Sequence, residues 1–159
     1  MLGVHDACQE YTLYDSGVVP GSKEIRDGLD KRRELMHVHF INSLRNRNPG
    51  AMHVGVPTVD QEGNAAYLPS AASAVPAHAE GSGLEARLKD GGRSMDMTVF
   101  KNREPKWNAE SQMYQLDFRG RASHASCKNI QLTLKDGAQN DSQLLMGKVD
   151  DNKFNVDFQ

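Results

Sequence analysis

The stretch that decides the fold runs from Trp107 to Gln131 and reads WNAESQMYQLDFRGRASHASCKNIQ. Within it, Tyr114, Leu116 and Phe118 alternate with polar residues. A period of two is typical of a strand with one buried face. A second alternation begins inside the stretch and covers Ser126–Leu134. The stretch therefore predicts two strands.

Segments with the same alternation lie on both sides of this stretch. Seven more are predicted as strands: Tyr11–Tyr14, Leu35–Ile41, Met52–Val56, Leu84–Leu88, Ser94–Phe100, Leu144–Val149 and Phe154–Phe158. The last two are separated by Asp150-Asp151-Asn152, a polar turn that predicts a hairpin. No segment predicts a helix of three turns. Seven to nine strands indicate an all-β fold, and periodicity alone leaves barrel and sandwich open.

The apolar faces of two predicted strands mark a candidate core. They carry Met36, Val38 and Phe40 in the first strand, and Met95, Met97 and Val99 in the second. His37 and His39 lie on the opposite face of the first strand. Two imidazoles on one strand face can hold zinc. Because no cysteine or acidic cluster accompanies them, a solvated strand face is the favoured interpretation, and no metal site is expected.

Length and composition predict one domain over residues 1–159 with a small core. The chain has 159 residues, of which 38% are hydrophobic and 6% aromatic, and its mean hydropathy is -0.64. Such a lean apolar content limits the core that can form. Gln61–Gly83 contains mainly Ala, Ser, Gly and Pro and is predicted to be a flexible loop.

Charge and hydropathy limit which partners and which cellular location we expect. The net charge of -2 and the pI of about 6.3 give no general attraction to nucleic acid or to an anionic membrane. Contact with phosphates must therefore come from a local cluster. No apolar run approaches the ~20 residues of a membrane span, and no signal peptide is evident. We expect a cytoplasmic protein without a transmembrane segment.

Catalytic chemistry finds little support in the sequence. Cys8 and Cys127 provide neither a disulfide framework nor a metal spacing. Cys127 is interpreted as a small core residue, and His124, three residues earlier on a predicted strand, would face the opposite side. No nucleophile elbow and no glycine-rich phosphate loop occur. We expect no catalytic residue, no cofactor and no enzymatic activity.

Basic residues form four local clusters. These are Lys31-Arg32-Arg33, Arg45 with Arg47, Lys101 with Arg103, and Arg119 with Arg121. Each is more often a solvated face than a site, but the first is the densest, and arginine suits bidentate contacts with phosphate. Aromatic residues do not interleave the clusters, so binding of single-stranded nucleic acid is not expected.

Several motifs together resemble the signature of the tubby and tubby-like protein family. The central ones are PKWN at 105–108, YQLDFRGR at 114–121 and ASCKNIQ at 125–131. Others are YTLYDSGVVP at 11–20, RREL at 32–35, MGKV at 146–149 and FNVDF at 154–158. They occur in the family's order and cover most of the chain. The Gln61–Gly83 loop has no counterpart among them.

The resemblance implies a fold and a function. The family fold is a closed antiparallel barrel of twelve strands around a central hydrophobic helix. Family members bind phosphoinositides, especially the 4,5-bisphosphate of phosphatidylinositol, and carry membrane cargo toward cilia. The implied locations, besides the cytoplasm, are the cilium and the inner face of the plasma membrane.

The resemblance also implies which residues bind the lipid. The family site uses a Lys-x-Arg pair before the F-T-V-Y-D motif and the Arg of R-x-E-L, which Arg32 matches. Met1–Glu10 contains no Lys or Arg, so the pair has no match. The candidates to complete the set are Lys31, Arg33, Arg45 and Arg47.

A second departure concerns the end of the chain. Gln159 falls where the family continues into its hydrophobic helix, so we expect an incomplete barrel, belonging to a longer protein or completed by a partner. Two functions therefore stand. One is a phosphoinositide-binding adaptor, and the alternative is a structural subunit of a larger ciliary or axonemal assembly, with protein partners and without lipid binding.

Overall fold

The computed structural model describes residues 10–16, 33–41, 51–66, 83–92, 95–137 and 141–159. Within these ranges lie nine strands and one short helix. The elements are β1 Glu10–Tyr14, β2 Glu34–Ile41, β3 Ala51–Pro57, α1 Leu84–Lys89, β4 Met97–Asn102, β5 Lys106–Asn108, β6 Met113–Gln115, β7 Ile130–Leu134, β8 Ser142–Asp150 and β9 Lys153–Phe158. This composition confirms the all-β fold class.

The strands form two sheets. Seven of them follow the order β1-β2-β3-β4-β7-β8-β9, and β5 pairs with β6 in a separate two-stranded sheet. The pairs β1–β2, β4–β7, β5–β6, β7–β8 and β8–β9 are antiparallel. The predicted β8–β9 hairpin is confirmed, and Asn152 in its turn has a φ of 60°, a conformation that asparagine tolerates.

The chain divides into two compact units. The first consists of Met1–Phe40 and His53–Val99, and the second of Ile41–Met52 and Phe100–Gln159. A cluster of four buried apolar residues forms the core of the first unit: Leu84, Leu88, Met97 and Val99. Within the described residues, no helix is long and apolar enough to cross a membrane.

Helix α1 replaces a strand that the sequence pattern predicted at Leu84–Leu88, so that prediction was wrong. Leu84 and Leu88 are four residues apart, which places both on one helical face, and both are buried. Lys89 Nζ donates to Glu85 Oε1 at 2.6 Å. Opposite charges four residues apart in sequence, as here, stabilise a helix. A short apolar run does not distinguish helix from strand, and packing in the core decides it.

A buried glutamate binds the start of α1. Glu34 Oε2 accepts a hydrogen bond from the Leu84 N–H at 2.6 Å. The first N–H groups of a helix have no partner within the helix and carry partial positive charge. No side-chain cap is present at Gly83, so the carboxylate of Glu34 performs that role from β2.

The predicted faces of β2 were wrong. His37 is only 1% exposed, whereas Phe40, expected in the core, is 40% exposed and stacks edge-on against Tyr11. The buried His37 has a polar partner, because its Nδ1 lies 2.8 Å from Thr12 Oγ1 on the paired strand. A hydrogen bond lowers the cost of burying a polar side chain, and alternation alone does not reveal such partners.

The apolar face of β4 was predicted correctly in part. Met97 and Val99 are buried, but Met95 is 95% exposed. β4 begins only at Met97, so Met95 lies in the preceding turn and does not share the face of the strand.

In the second unit, the predicted strand through Leu116 and Phe118 was wrong. β6 ends at Gln115, and the chain then turns at Arg119 and Gly120, which have φ values of 51° and 76°. The Arg121 N–H donates to Phe118 O at 2.8 Å and closes the turn. We call the segment 116–129 the motif loop.

The motif loop is held on the β8–β9 hairpin. Arg121 binds Asp157 through two hydrogen bonds of 2.6 Å each, and Asn155 Nδ2 donates to Arg121 O at 3.0 Å. Asn129 Oδ1 accepts from the Lys148 N–H at 2.8 Å. The loop also lies close to β8, because a Cβ on Gly147 would lie 2.7 Å from Arg121 O.

Two further predictions in this region need correction. The strand predicted at Ser126–Leu134 starts only at Ile130, and its buried residues are Gln131 and Thr133. Cys127 is exposed and not in the core. It lies in a turn that the Asn129 N–H closes by donating to Ser126 O at 3.1 Å, so strand alternation does not apply to it.

Several predictions fall outside the described residues. They concern Cys8, Lys31 with Arg32, Arg45 with Arg47, and most of the Gln61–Gly83 loop. At the start of that loop, the structure describes a turn in which Asp60 Oδ1 accepts from the Asn64 N–H at 2.8 Å. Val59 and Ala65 pair across this turn.

Candidate functional site

Of the five predicted lipid-binding residues, the structure describes Arg33. Lys31, Arg32, Arg45 and Arg47 lie outside the described residues. Arg33 directly precedes β2, and 56% of its side chain is exposed. The contacts of Arg33 are therefore what the structure shows of the predicted site.

Asp15 holds Arg33 from the end of β1. Its Oδ1 accepts from the Arg33 N–H and its Oδ2 from Arg33 Nε, both at 2.8 Å. The Asp15 N–H in turn donates to Arg33 O at 3.1 Å. Aspartate at a turn bonds readily to nearby backbone N–H groups. The β1–β2 pair thus ends in a set of three bonds between Asp15 and Arg33, the last residue of the Lys31-Arg32-Arg33 cluster.

Three described basic residues of the second unit, Arg121, Arg103 and Lys128, contact groups of their own chain. Arg121 binds Asp157, which lowers the pKa of Asp157 and raises that of Arg121. Arg103 Nη1 donates to Gln131 Oε1 at 3.2 Å. Lys128 Nζ lies 5.8 Å from the centre of the Phe154 ring, within the range of a cation–π contact. These contacts stabilise the motif loop and its surroundings.

The contact between Ser123 and His124 does not form a nucleophile with its base. Ser123 Oγ donates to Val149 O at 3.0 Å and lies 3.0 Å from His124 Nδ1. Because a hydroxyl has a single proton, Nδ1 is assigned as the donor to Ser123. A general base must instead accept the proton of the nucleophile.

The paired histidines of β2 were considered for metal binding. His37 is buried against Thr12, and His39 Nε2 lies 3.9 Å from Glu10 Oε1. Within the ranges that the structure describes, no group of three or more His, Cys, Asp or Glu residues could hold a metal ion. The solvated face predicted for both histidines was wrong for His37.

Comparison with known proteins decides the family. A model of the Tub family matches residues 6–159. The chain belongs to the Tub family. In this Tub-family chain, three motif residues have structural roles. Arg121, Asn129 and Asp157 hold the motif loop on the β8–β9 hairpin.

Curated relatives agree with this assignment. Tubby protein homolog 1 of Caenorhabditis briggsae is 30% identical over 158 residues, which are 99% of this chain and 35% of that protein. Tubby-related protein 2 of Mus musculus is 31% identical over 151 residues, 94% of this chain and 25% of that protein. Tubby-related protein 3 of Homo sapiens is 30% identical over 155 residues, 94% and 32% respectively. The chain thus spans about a third or less of the length of these relatives.

Sequence reasoning missed the residues that bind the described parts of the chain together. Asp15 and Glu34 each accept backbone N–H bonds from distant segments. Gln131 contributes a buried amide that Asp117, Arg103 and Ser142 contact. The signal available for all three residues was their place within family motifs, since composition and alternation do not mark them.

Proposed function

We propose that this Tub-family chain is part of a non-enzymatic adaptor that binds a phosphoinositide headgroup and acts in membrane trafficking toward the cilium. Membership of the Tub family over residues 6–159 supports the proposal. The proposed headgroup contacts are Arg32, Lys31, Arg33, Arg45 and Arg47. The proposed locations are the cytoplasm, the cilium and the inner face of the plasma membrane.

The observation that carries the proposal is the attachment of Arg33 to Asp15. Both the backbone N–H and the Nε of Arg33 are bound to the Asp15 carboxylate, so the basic cluster joins β2 at a fixed point. A binding residue that is already held in place lowers the ordering cost of binding. Since Arg33 already binds a carboxylate, we assign the main headgroup contact to Arg32, with Lys31 beside it.

The test uses vesicles and the full-length protein that contains this chain. Phosphatidylcholine vesicles with the 4,5-bisphosphate of phosphatidylinositol should retain it in a sedimentation assay, and Arg32→Ala should weaken retention. A charge-assisted hydrogen bond contributes about 1.5–3 kcal/mol, which corresponds to roughly a tenfold to hundredfold weaker affinity.

A matched control removes the same charge elsewhere. Lys106 is exposed in β5, and Lys106→Ala should leave retention unchanged. The proposal is wrong if the wild-type protein does not bind these vesicles, or if Arg32→Ala and Lys106→Ala behave alike.

The second candidate function is a structural subunit of a larger ciliary or axonemal assembly. Exposed apolar side chains favour it: Tyr11 and Leu13 on β1, and Val156 and Phe158 on β9, are all more than half exposed. Large exposed apolar surfaces in soluble proteins often mark contacts with other proteins.

Extraction of ciliated cells with detergent separates the two functions. A structural subunit should stay with the detergent-resistant axoneme, and Arg32→Ala should not release it, whereas Tyr11→Ser with Leu13→Ser should. Complete release of the wild-type protein by detergent would contradict the structural role.

A further inference from the structure

A buried histidine lies between two elements of the first unit. His37 on β2 is 1% exposed, and its Nδ1 lies 2.8 Å from Thr12 Oγ1 on β1. Its Nε2 is also buried and has no hydrogen-bond partner among the described residues. A buried ring nitrogen without a partner is costly, and it becomes more costly when it carries the proton of an imidazolium.

Charged groups from three elements surround His37. Glu10 lies on β1, Glu34 on β2, and Glu85 and Lys89 on α1. Burial lowers the pKa of His37 from its ordinary value, and Lys89 lowers it further, against the opposing influence of the three glutamates. The neutral imidazole is therefore the form that this arrangement holds at neutral pH.

The surrounding carboxylates already have partners. Glu34 Oε2 accepts from the Leu84 N–H at 2.6 Å. Lys89 Nζ donates to Glu85 Oε1 at 2.6 Å and to Glu10 Oε2 at 3.2 Å. The bond from the Leu84 N–H to Glu34 attaches α1 to β2, and the bond from Lys89 to Glu10 attaches it to β1. In the folded arrangement none of the described groups accepts a hydrogen bond from His37 Nε2.

We propose that His37 is a proton-sensitive latch that keeps α1 attached to the β1–β2 pair and releases it under mildly acidic conditions. Protonation places a charge where burial opposes it, and exposure to water relieves that cost. The released element is α1, Leu84–Lys89, because its Glu85 and Lys89 are among the charged groups that act on His37. Its polar bonds to the strands are those of Glu34 and Lys89. The latch operates in the first unit and needs no lipid.

The direction of the pH dependence follows from the lowered pKa of His37. The open state, with a pKa near 6.5, binds more protons than the closed state. The closed state is therefore fully stable above about pH 6.5 and loses stability as the pH falls from there toward its own lower pKa. Over that window, the opening constant rises by at most about tenfold per pH unit.

Amide hydrogen exchange on the full-length protein tests the latch. Peptides covering residues 83–92 are compared at pH 7.5 and pH 5.5, after correction for the intrinsic exchange rate. We expect a protection factor several-fold lower at pH 5.5, up to about tenfold. Protection that does not fall at pH 5.5 would overturn the proposal, because a group whose pKa is lowered in the closed state must favour opening as the pH falls.

Variants assign the effect to one residue. His37→Gln cannot titrate and should make protection of residues 83–92 independent of pH, while His39→Gln on the same strand and His53→Gln on β3 should keep the wild-type response. An unchanged pH response in His37→Gln would contradict the latch.

A measurement on the wild-type protein covers the case in which His37→Gln does not fold. Hydrogen exchange at the imidazole C2 position reports the pKa and accessibility of each histidine. His37 should exchange more slowly than His39 and titrate below its ordinary pKa. A His37 that exchanges as fast as His39, or titrates at or above that value, would refute the proposal.

Discussion

At Gln131, one buried amide holds three parts of the second unit together. Its Nε2 donates to Asp117 O at 2.7 Å, and its Oε1 accepts from Arg103 and Ser142 at 3.2 Å each. Gln131 is 2% exposed, so each bond replaces one to water, and losing the amide would leave the Asp117 carbonyl without this donor. The last residue of the opening stretch is thus a structural polar group.

Gly147 provides the space that the motif loop needs. A Cβ there would lie 2.7 Å from Arg121 O and 2.8 Å from the Ala122 Cβ. Backbone atoms cannot move aside easily, so we expect Gly147→Ala to lower the free energy of unfolding by about 1–3 kcal/mol, the usual cost of overpacking. Urea denaturation of the purified protein measures it.

The control for this change is Gln143→Ala on the same strand, where the side chain is partly exposed. It should stay within about 0.5 kcal/mol of wild type. If Gly147→Ala is equally mild, the motif loop does not press on β8 in solution.

At the scale of elements, α1 depends on its core contacts. The helix has six residues, too few to be stable alone in water. Leu88 belongs to the buried cluster with Met97 and Val99. The helical conformation of α1 therefore follows from packing and from the Glu34 carboxylate, and local helix propensity contributes little.

Leu88→Ala should destabilise the first unit by about 2–5 kcal/mol, because it removes buried methyl groups and leaves a cavity. Thermal unfolding followed by circular dichroism, with denaturant titration, measures the change. Asp90→Ala, at the exposed end of the helix, serves as the control and should change stability by less than about 0.5 kcal/mol. Equal effects of the two variants would contradict the core position of Leu88.

The strands and helix can be compared with those predicted from the sequence pattern. The strands β1, β2, β3, β8 and β9 and the final hairpin agree with prediction, because alternation and turn residues are local signals. The helix at Leu84–Leu88 and the turn at Arg119-Gly120 were missed. Their conformations depend on partners distant in sequence, such as Glu34 for α1 and Asp157 for the motif loop.

At the scale of the whole molecule, the charge balance constrains membrane binding. The 159 residues of this chain carry a net charge of -2, which gives no general attraction to an anionic surface. Binding by this chain must therefore come from a local basic cluster and should be specific for a densely charged headgroup.

This balance predicts how vesicle binding depends on lipid and salt. Vesicles with the bisphosphate lipid should retain more of the full-length protein than phosphatidylserine vesicles of equal total charge. Retention should fall as ionic strength rises, because salt screens exposed charges over about 10 Å at 0.1 M. Equal retention on both vesicle types would indicate nonspecific attraction and count against a headgroup site.

The sequence by itself determined the all-β class, most strands and the family, since these follow from alternation, turn residues and motifs that are local in the chain. It also placed Arg33 among the candidate site residues, a prediction that stays open, but it did not reveal the Asp15 carboxylate that holds Arg33. Tertiary structure alone decided that His37 and Gln131 are buried while Phe40 and Cys127 are exposed. The physical reason is that burial of a polar side chain depends on hydrogen-bond partners from other elements, and those partners meet only when the chain is folded.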